Sequence, residues 1–230
     1  MVSPKSLPRT AVEAINLTNE GFGGIMLKNG PSYRNERYDM RLIFSSADFG
    51  DPAAKEVILR HLPKPQAECR LLFFPNEKVT EELLRKKKYH KWMAQRGFSR
   101  ENVTVFDYFH PQTEIGEVDV LYVSGGNTFA TFALMRASGA DKLIAERIRA
   151  GVTYVGGSAG AHIVSQSIAH VQAFDPLPEG FSDFSGLGFF DGIFICHYSE
   201  ARRAHYEAAL AEGTCRVVTL ANDEAIVIDA

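Results

Sequence analysis

The sequence predicts an α/β fold, a three-layer sandwich whose mostly parallel sheet is covered by helices on both faces. Three observations carry that expectation. From Met40 onward, short apolar runs alternate with segments of helical period, strand then helix, several times over. Most of these runs are apolar throughout rather than at every second residue, as strands buried on both faces are. Two glycine-rich turns, 124–127 and 156–160, each follow such a run and precede a helical pattern, and open α/β sheets bind ligands beyond the carboxyl ends of their strands.

Taken in order, residues 40–46 read as a first buried strand, Met-Arg-Leu-Ile-Phe-Ser-Ser. A helix follows over 52–62, with Asp51 suited to its N-cap and Pro52 to its first position. Residues 70–74 form a strand. Thr80 then starts a helix that Gly97 ends. Strands are expected over 103–107 and 118–123. Helices are expected over 128–136 and 141–149, with Gly139 between them and Gly151 as a stop. Residues 152–155 are the strand feeding the second glycine turn. Beyond it, 166–172 reads as a strand, 174–188 as a loop rich in Pro, Gly, Asp and Phe, and 193–196 as a strand ending at His197. A helix over 200–212 and strands over 216–219 and 225–228 complete the chain, in the manner of a trimmed C-terminal hairpin. Residues 1–39 mix Pro, Asn, Gly and Arg around a weak helical stretch at 10–17. They are expected to be an N-terminal extension preceding a single domain over 40–230.

Composition narrows the function. The 230 residues suffice for one large core, and 45% hydrophobic and 23% charged residues are ordinary for a globular protein. The formal charge of −3 gives no broad attraction to nucleic acid or to an anionic membrane. The run Arg85-Lys86-Lys87-Lys88 sits in a Glu-containing helical pattern and reads as a solvated face. Three cysteines, Cys69, Cys196 and Cys215, have no metal-ligand spacing and fit a reducing cytoplasm better than a disulfide framework. No run is apolar enough to span a bilayer, and the N-terminus lacks a signal-peptide core. The expectation is a cytoplasmic protein with no metal, no organic cofactor, and neither nucleic acid nor membrane as partner.

The chemistry concentrates in Gly156-Gly157-Ser158-Ala159-Gly160. Gly-x-Ser-x-Gly at a strand-to-helix turn is the pattern of a nucleophile elbow, in which small neighbours allow the serine hydroxyl to project from the strand end. The Ala159 amide then faces the place where an oxyanion forms. The other turn, Ser124-Gly125-Gly126-Asn127, presents bare backbone and suits a second oxyanion donor. It lacks the lysine of a phosphate-binding P-loop and the third glycine of a dinucleotide fingerprint. A serine nucleophile needs a base, and His197 stands at a strand end. Of the other histidines, His61, His90 and His205 lie in helical patterns, His170 lies mid-strand, and His162 is one turn past Ser158 and expected to point away. His110 sits in a loop before Pro111 and is the competing base.

Gly-Gly-Asn-Thr-Phe, then about thirty residues on Gly-x-Ser-Ala-Gly-Ala, then a strand-end His followed by an aromatic residue, resembles the dipeptidase E family. These are serine peptidases of the aspartyl dipeptidase and cyanophycinase kind, on a fold similar to class I glutamine amidotransferases. The resemblance runs from Met40 to the C-terminus. It implies Ser158 as nucleophile, His197 as base, the amides of Gly126 and Ala159 as the oxyanion site, and Asn127 as the motif asparagine at the substrate site. The family's acid falls near Ala173 by simple counting, and Ala173 cannot serve. A two-residue insertion would bring Asp175 there, with Glu179 and Asp183 further along the same loop. An arginine after the base holds the substrate's aspartate side chain in aspartyl dipeptidases, and Arg202 is its counterpart here, beside Arg203. The implied function is hydrolysis of short peptides, dipeptides with N-terminal Asp among them, through a Ser-His-acid triad. An α/β-hydrolase-like esterase shares the elbow and the residue order, although no His-Gly-Gly follows an early strand. A catalytically silent binding protein is the reading from another class, and it holds if no carboxylate reaches His197.

Overall fold

A computed structural model describes residues 40–112 and 114–229. The expected helical stretch at 10–17 lies outside the described residues. Eight strands and seven α-helices are described: β1 Arg41–Ser45, α1 Pro52–Arg60, β2 Leu71–Phe74, α2 Glu81–Arg85, α3 Lys88–Arg96, β3 Val103–Val105, β4 Val120–Val123, α4 Thr128–Ser138, α5 Ala140–Arg149, β5 Thr153–Gly157, α6 Ala159–Ile163, β6 Ile193–Cys196, α7 Arg203–Glu212, β7 Val217–Leu220 and β8 Ala225–Asp229.

Six strands form one sheet in the order β3-β2-β4-β5-β1-β8. All its neighbours run parallel except β8, which lies antiparallel to β1 at one edge. Alternation along the strands sorts the core into two faces. Phe73 and Tyr122 are register partners and point to one face, where Phe73 meets Tyr89 of α3 and Tyr122 meets Phe49. Tyr154 and Phe44 point to the other, where the Tyr154 hydroxyl donates to the carbonyl of Gly160 in α6 and Phe44 packs on Phe194 of β6. Helices therefore cover both faces. Phe44, Phe74, Phe129, Phe132, Tyr154 and Phe194 are each under 2% exposed, and burial of such side chains contributes about 1.5–3 kcal/mol apiece. Asp119 ties the starts of β2 and β4 together, accepting from the backbone amide, Nε and Nη2 of Arg70.

The elements depart from expectation in four places. The helix expected from Thr80 to Gly97 is two helices. Thr80 caps α2 through a hydrogen bond from the Leu83 amide, but Lys87 adopts a left-handed backbone (φ 50°) that separates α2 from α3. Residues expected as a strand over 166–172 make only an isolated bridge at Ser167, next to one at Ser165, before a 3-10 turn, Ala169–Ala173. The last two strands do not pair as a hairpin: β7 joins β6 in a separate parallel pair, while β8 returns to β1. The helix expected from Glu200 opens as a 3-10 turn, Glu200–Arg202, before α7.

Candidate active site

The carboxyl ends of β1, β4, β5, β6 and β7 meet at one place. β5 lies between β4 and β1, so the residue after Gly157 sits centrally. Ser158 adopts φ 45° and ψ −100°, a strained backbone for a residue with a side chain. Its amide donates to the carbonyl of Ser45 (2.8 Å), and its own carbonyl accepts from the amides of Ala161 and His162 at the start of α6. The motif glycines are spatial necessities. A methyl on Gly160 would stand 2.4 Å from the carbonyl oxygen of Val123, and one on Gly156 would stand 2.7 Å from the backbone of Gly160. Only bare backbone lets α6 leave the sheet this sharply.

His197 follows β6 with a left-handed backbone (φ 52°) that turns its ring back over the elbow. Nε2 lies 2.9 Å from Ser158 Oγ. Ser46, after β1, fixes the turn: its hydroxyl donates to the carbonyl of Leu220 (2.7 Å) and accepts from the amide of His197 (2.9 Å). On the far side of the ring, Nδ1 lies 2.7 Å from Oδ1 of Asn222. Since that oxygen can only accept, Nδ1 carries the proton and Nε2 is free to accept from the serine hydroxyl. Asn222 belongs to the tight turn between β7 and β8, closed by the Glu224 amide on the carbonyl of Ala221 and by the Ala221 amide on Oε2 of Glu224.

The expected acid is thus corrected. Asp175 does not reach the imidazole; its Oδ2 accepts from the amide of Thr128 (2.7 Å), the first residue of α4, where a carboxylate complements the unpaired amides of a helix N-terminus. Asp183 pairs with Arg136 at the surface. Glu179 lies in the same loop, and no bond ties it to His197. The loop runs this way because 169–173 coils as a 3-10 turn instead of extending toward the base.

Gly126 lines the same cavity as Ser158, and Ala159 follows Ser158 directly in the chain. Ala159 is the first residue of α6, so its amide has no partner within the helix. The Gly125-Gly126 turn is braced from the end of β2: Asn76 Nδ2 donates to the carbonyl of Gly125 (2.6 Å), and Glu77 accepts from the Asn127 amide and the Thr131 hydroxyl (3.0 Å each). Asn127 is occupied as a strut. Its Oδ1 caps α4 through the Ala130 amide, and its Nδ2 donates to the carbonyl of Pro176. Arg202 lines the site with its guanidinium 4.0 Å from the ring centre of Phe174 and one nitrogen donating to the carbonyl of Cys196.

These groups enclose a cavity of about 350 Å³ lined by Ser46, Asp48, Ser158, Asp175, His197 and Arg202, among others. A cavity of about 370 Å³ elsewhere holds His110 beside Asp107, away from Ser158, which removes His110 as the base. His162 does not point away from the site. It is 3% exposed, lines the cavity, and shares a hydrogen bond with the Thr128 hydroxyl through Nδ1 (3.1 Å). Burial, then the nearby His170, Arg202 and His197, hold its proton affinity well below the usual imidazole range. Burial also lowers His170, whose Nε2 meets the carbonyl of Phe194. Cys196 is buried and pushed up to about 12, so it stays an unreactive thiol. Among the described residues no group of three His, Cys, Asp or Glu side chains is arranged to hold a metal ion. No described helix is long and apolar enough to cross a membrane.

Sequence reasoning missed three site residues, Ser46, Asp48 and Asn222. Each follows a strand's carboxyl end within three residues, and that placement was the available signal.

Fold and site together define an α/β protein with a serine elbow and a histidine bonded to it. The family model described as peptidase family S51 matches residues 42–230, and the chain belongs to that family. Among curated relatives, an uncharacterized peptidase of Listeria monocytogenes is 34% identical over 121 residues, which cover 50% of this chain and 59% of the relative. A peptidase E of Salmonella arizonae is 29% identical over 119 residues, 51% of each chain. The chain spans less than two thirds of the length of these curated relatives. A crystal structure from Listeria monocytogenes, of a protein provisionally named peptidase E, aligns with a TM-score of 0.64 and 26% identity over 84% of this chain and 95% of that one. A peptidase from an acI-B1 actinobacterium shares the fold, with a TM-score of 0.52 at 14% identity over 83% and 84% of the two chains.

Proposed function

We propose that this chain is a serine peptidase of short peptides, with residues 40–230 acting as one catalytic domain. The observation that carries the reading is the 2.9 Å approach of His197 Nε2 to Ser158 Oγ on a strained elbow. Ser158 Oγ attacks the scissile carbonyl while Nε2 takes its proton. The amides of Gly126 and Ala159 receive the oxyanion. His197 then passes the proton to the leaving amine, and water, deprotonated by the same nitrogen, releases the acyl group. Among the described residues no carboxylate bonds to His197, the condition set for a silent binding protein; the peptidase reading stands on Asn222 instead, which holds the ring in the working tautomer, as asparagine does in Cys-His-Asn proteases, but brings no charge to the imidazolium. Arg202 is the cation of the cavity wall and suits an acidic side chain on the substrate, N-terminal aspartate above all. Three free cysteines support a reducing, cytoplasmic setting, and the small net negative charge supports a peptide rather than a nucleic acid as partner.

The test is hydrolysis of a panel of X-Leu dipeptides, with leucine release followed by chromatography. Wild-type protein should cleave at least one member catalytically, acidic X foremost. A panel left intact by wild-type protein at high enzyme concentration overturns the reading.

A further inference from the structure

The cavity contains a carboxyl group that the mechanism above does not use. Asp48 stands three residues beyond β1, in a left-handed backbone conformation (φ 55°), and lines the cavity with Ser158 and His197. Its side chain lies across the residue before the nucleophile. A methyl group added to Gly157 would fall 1.1 Å from Asp48 Oδ1 and 2.3 Å from Oδ2. Oδ1 is fully buried without a hydrogen-bond partner. Buried carboxylate oxygens normally have partners; this one has none among the described residues, on a residue that is only half-buried and lines the cavity.

The groups facing Asp48 do not neutralise it. Tyr122 and the Gly125 amide approach from β4 and the turn after it, Arg96 from the end of α3, Tyr154 from β5 and Cys196 from β6. Burial outweighs the favourable ones and pushes the carboxyl up to about 7. Among the described residues no lysine, arginine or histidine forms an ion pair with it; Arg96 acts only from a distance.

Position decides what kind of donor fits. Asp48 contacts Gly157, and the Gly125 amide faces it, while Gly125 itself lies against Ser158: a methyl there would stand 3.2 Å from Ser158 Cβ. A carboxylate this near the oxyanion site opposes the negative charge that develops there, unless it is protonated or paired with a cation. In a peptide, the cation held next to the scissile carbonyl is the free α-ammonium of an N-terminal residue, one carbon away. We infer that Asp48 receives the substrate's α-ammonium and so restricts cleavage to the bond after the N-terminal residue. This rests on the peptidase reading. When the ammonium binds a protonated Asp48, the carboxyl proton leaves to solvent and an ion pair remains. Asp48 is then a specificity-determining residue: it excludes peptides with a blocked amine and limits where a longer chain can be cut.

The experiment measures binding and turnover separately. Calorimetry on Ser158→Ala compares the best-bound X-Leu dipeptide with its N-acetyl counterpart. The free amine should bind at least about tenfold more tightly, the value of one charge-assisted hydrogen bond. Asp48→Asn in the same background should bring the two peptides within about threefold of each other. Asparagine tolerates the left-handed backbone, and a thermal melt confirms that the variant is folded. In otherwise wild-type protein, Asp48→Asn should raise KM for the free peptide far more than it lowers kcat. Equal binding of the two peptides, an undiminished preference in Asp48→Asn, or no dipeptide binding at all overturns the inference. Hydrolysis judges the other reading: peptides bound through the amine but never cleaved refute the peptidase while sustaining the role of Asp48, and equal cleavage of free and acetylated peptides does the reverse.

Discussion

On the peptidase reading, Asn222→Asp should make turnover faster. Asn222 Oδ1 lies 2.7 Å from His197 Nδ1, the hydrogen-bond distance an aspartate would occupy. A net hydrogen bond between neutral groups contributes about 0.5–1.5 kcal/mol and one to a charged group about 1.5–3, so the charge adds about 1 kcal/mol. Asn222 is exposed, and a unit pair about 4 Å apart in water gives the same figure of about 1 kcal/mol. The imidazolium exists after proton transfer, so the gain falls on the transition state, and about 1 kcal/mol is about fivefold in rate. Assayed as kcat/KM on one cleaved dipeptide from about pH 5 to about pH 9, Asn222→Asp should rise about fivefold at the plateau. Its acidic limb should move to higher pH, because a carboxylate favours the protonated ring. Asn222→Ala should fall by about tenfold to a hundredfold, less than the roughly four orders lost when asparagine presents the wrong tautomer in a serine protease triad. A tenfold loss in Asn222→Asp, or an unchanged Asn222→Ala, would refute the assignment of Asn222 as the ring's partner.

Three further outcomes follow from the geometry. Stability should fall on acidification below about pH 6.5, because buried His162 and His170 hold protons less readily folded than unfolded, costing up to about 1.4 kcal/mol per unit for each group. Asp48, raised to about 7, binds protons more readily folded and opposes that loss between its unfolded value of 3.8 and about 7. Thermal melts should therefore show a larger acid-induced drop in Asp48→Asn than in wild type, and a smaller one in Asp48→Asn contradicts the burial of that carboxyl. Gly160→Ala, which drives a methyl to 2.4 Å from the Val123 carbonyl, should lower stability in a urea titration by at least about 2 kcal/mol; an unchanged midpoint would mean the elbow is looser than described. Arg202→Ala should raise KM for peptides with N-terminal Asp by at least about tenfold and change neutral peptides much less, with Arg202→Lys a poor substitute because a point charge lacks the fork. Equal losses on all peptides would make Arg202 a structural prop for the Cys196 carbonyl.

The parts of the site legible in the sequence are those whose requirements are local. Gly156 and Gly160 are forced by contacts with Gly160 and Val123, so the elbow announces itself within five residues. His197 is readable because a strand end places it. The ring's partner is not readable in the same way. Asn222 arrives 25 residues later on a turn after β7, and it is not the carboxylate that chemical expectation searches for. Asp175 is reached by counting along the chain with a two-residue insertion, and counting does not show that its carboxylate bonds the first amide of α4 instead. The sheet was legible through its apolar runs, while the pairing of β7 with β6 rather than β8 depends on long-range packing that no local pattern encodes. One aspartate after a strand reads as an ordinary turn residue, and only the contact of Asp48 with Gly157 sets it apart.

We propose Ser158, activated by His197, as a nucleophile. The most direct measurement of that role is covalent labelling by a fluorophosphonate, with the adduct located by peptide mass spectrometry. The modified residue should be Ser158, with no label in Ser158→Ala and labelling slowed by at least about a hundredfold in His197→Ala. An unlabelled wild-type protein, or an adduct on any other residue that persists in Ser158→Ala, would contradict it.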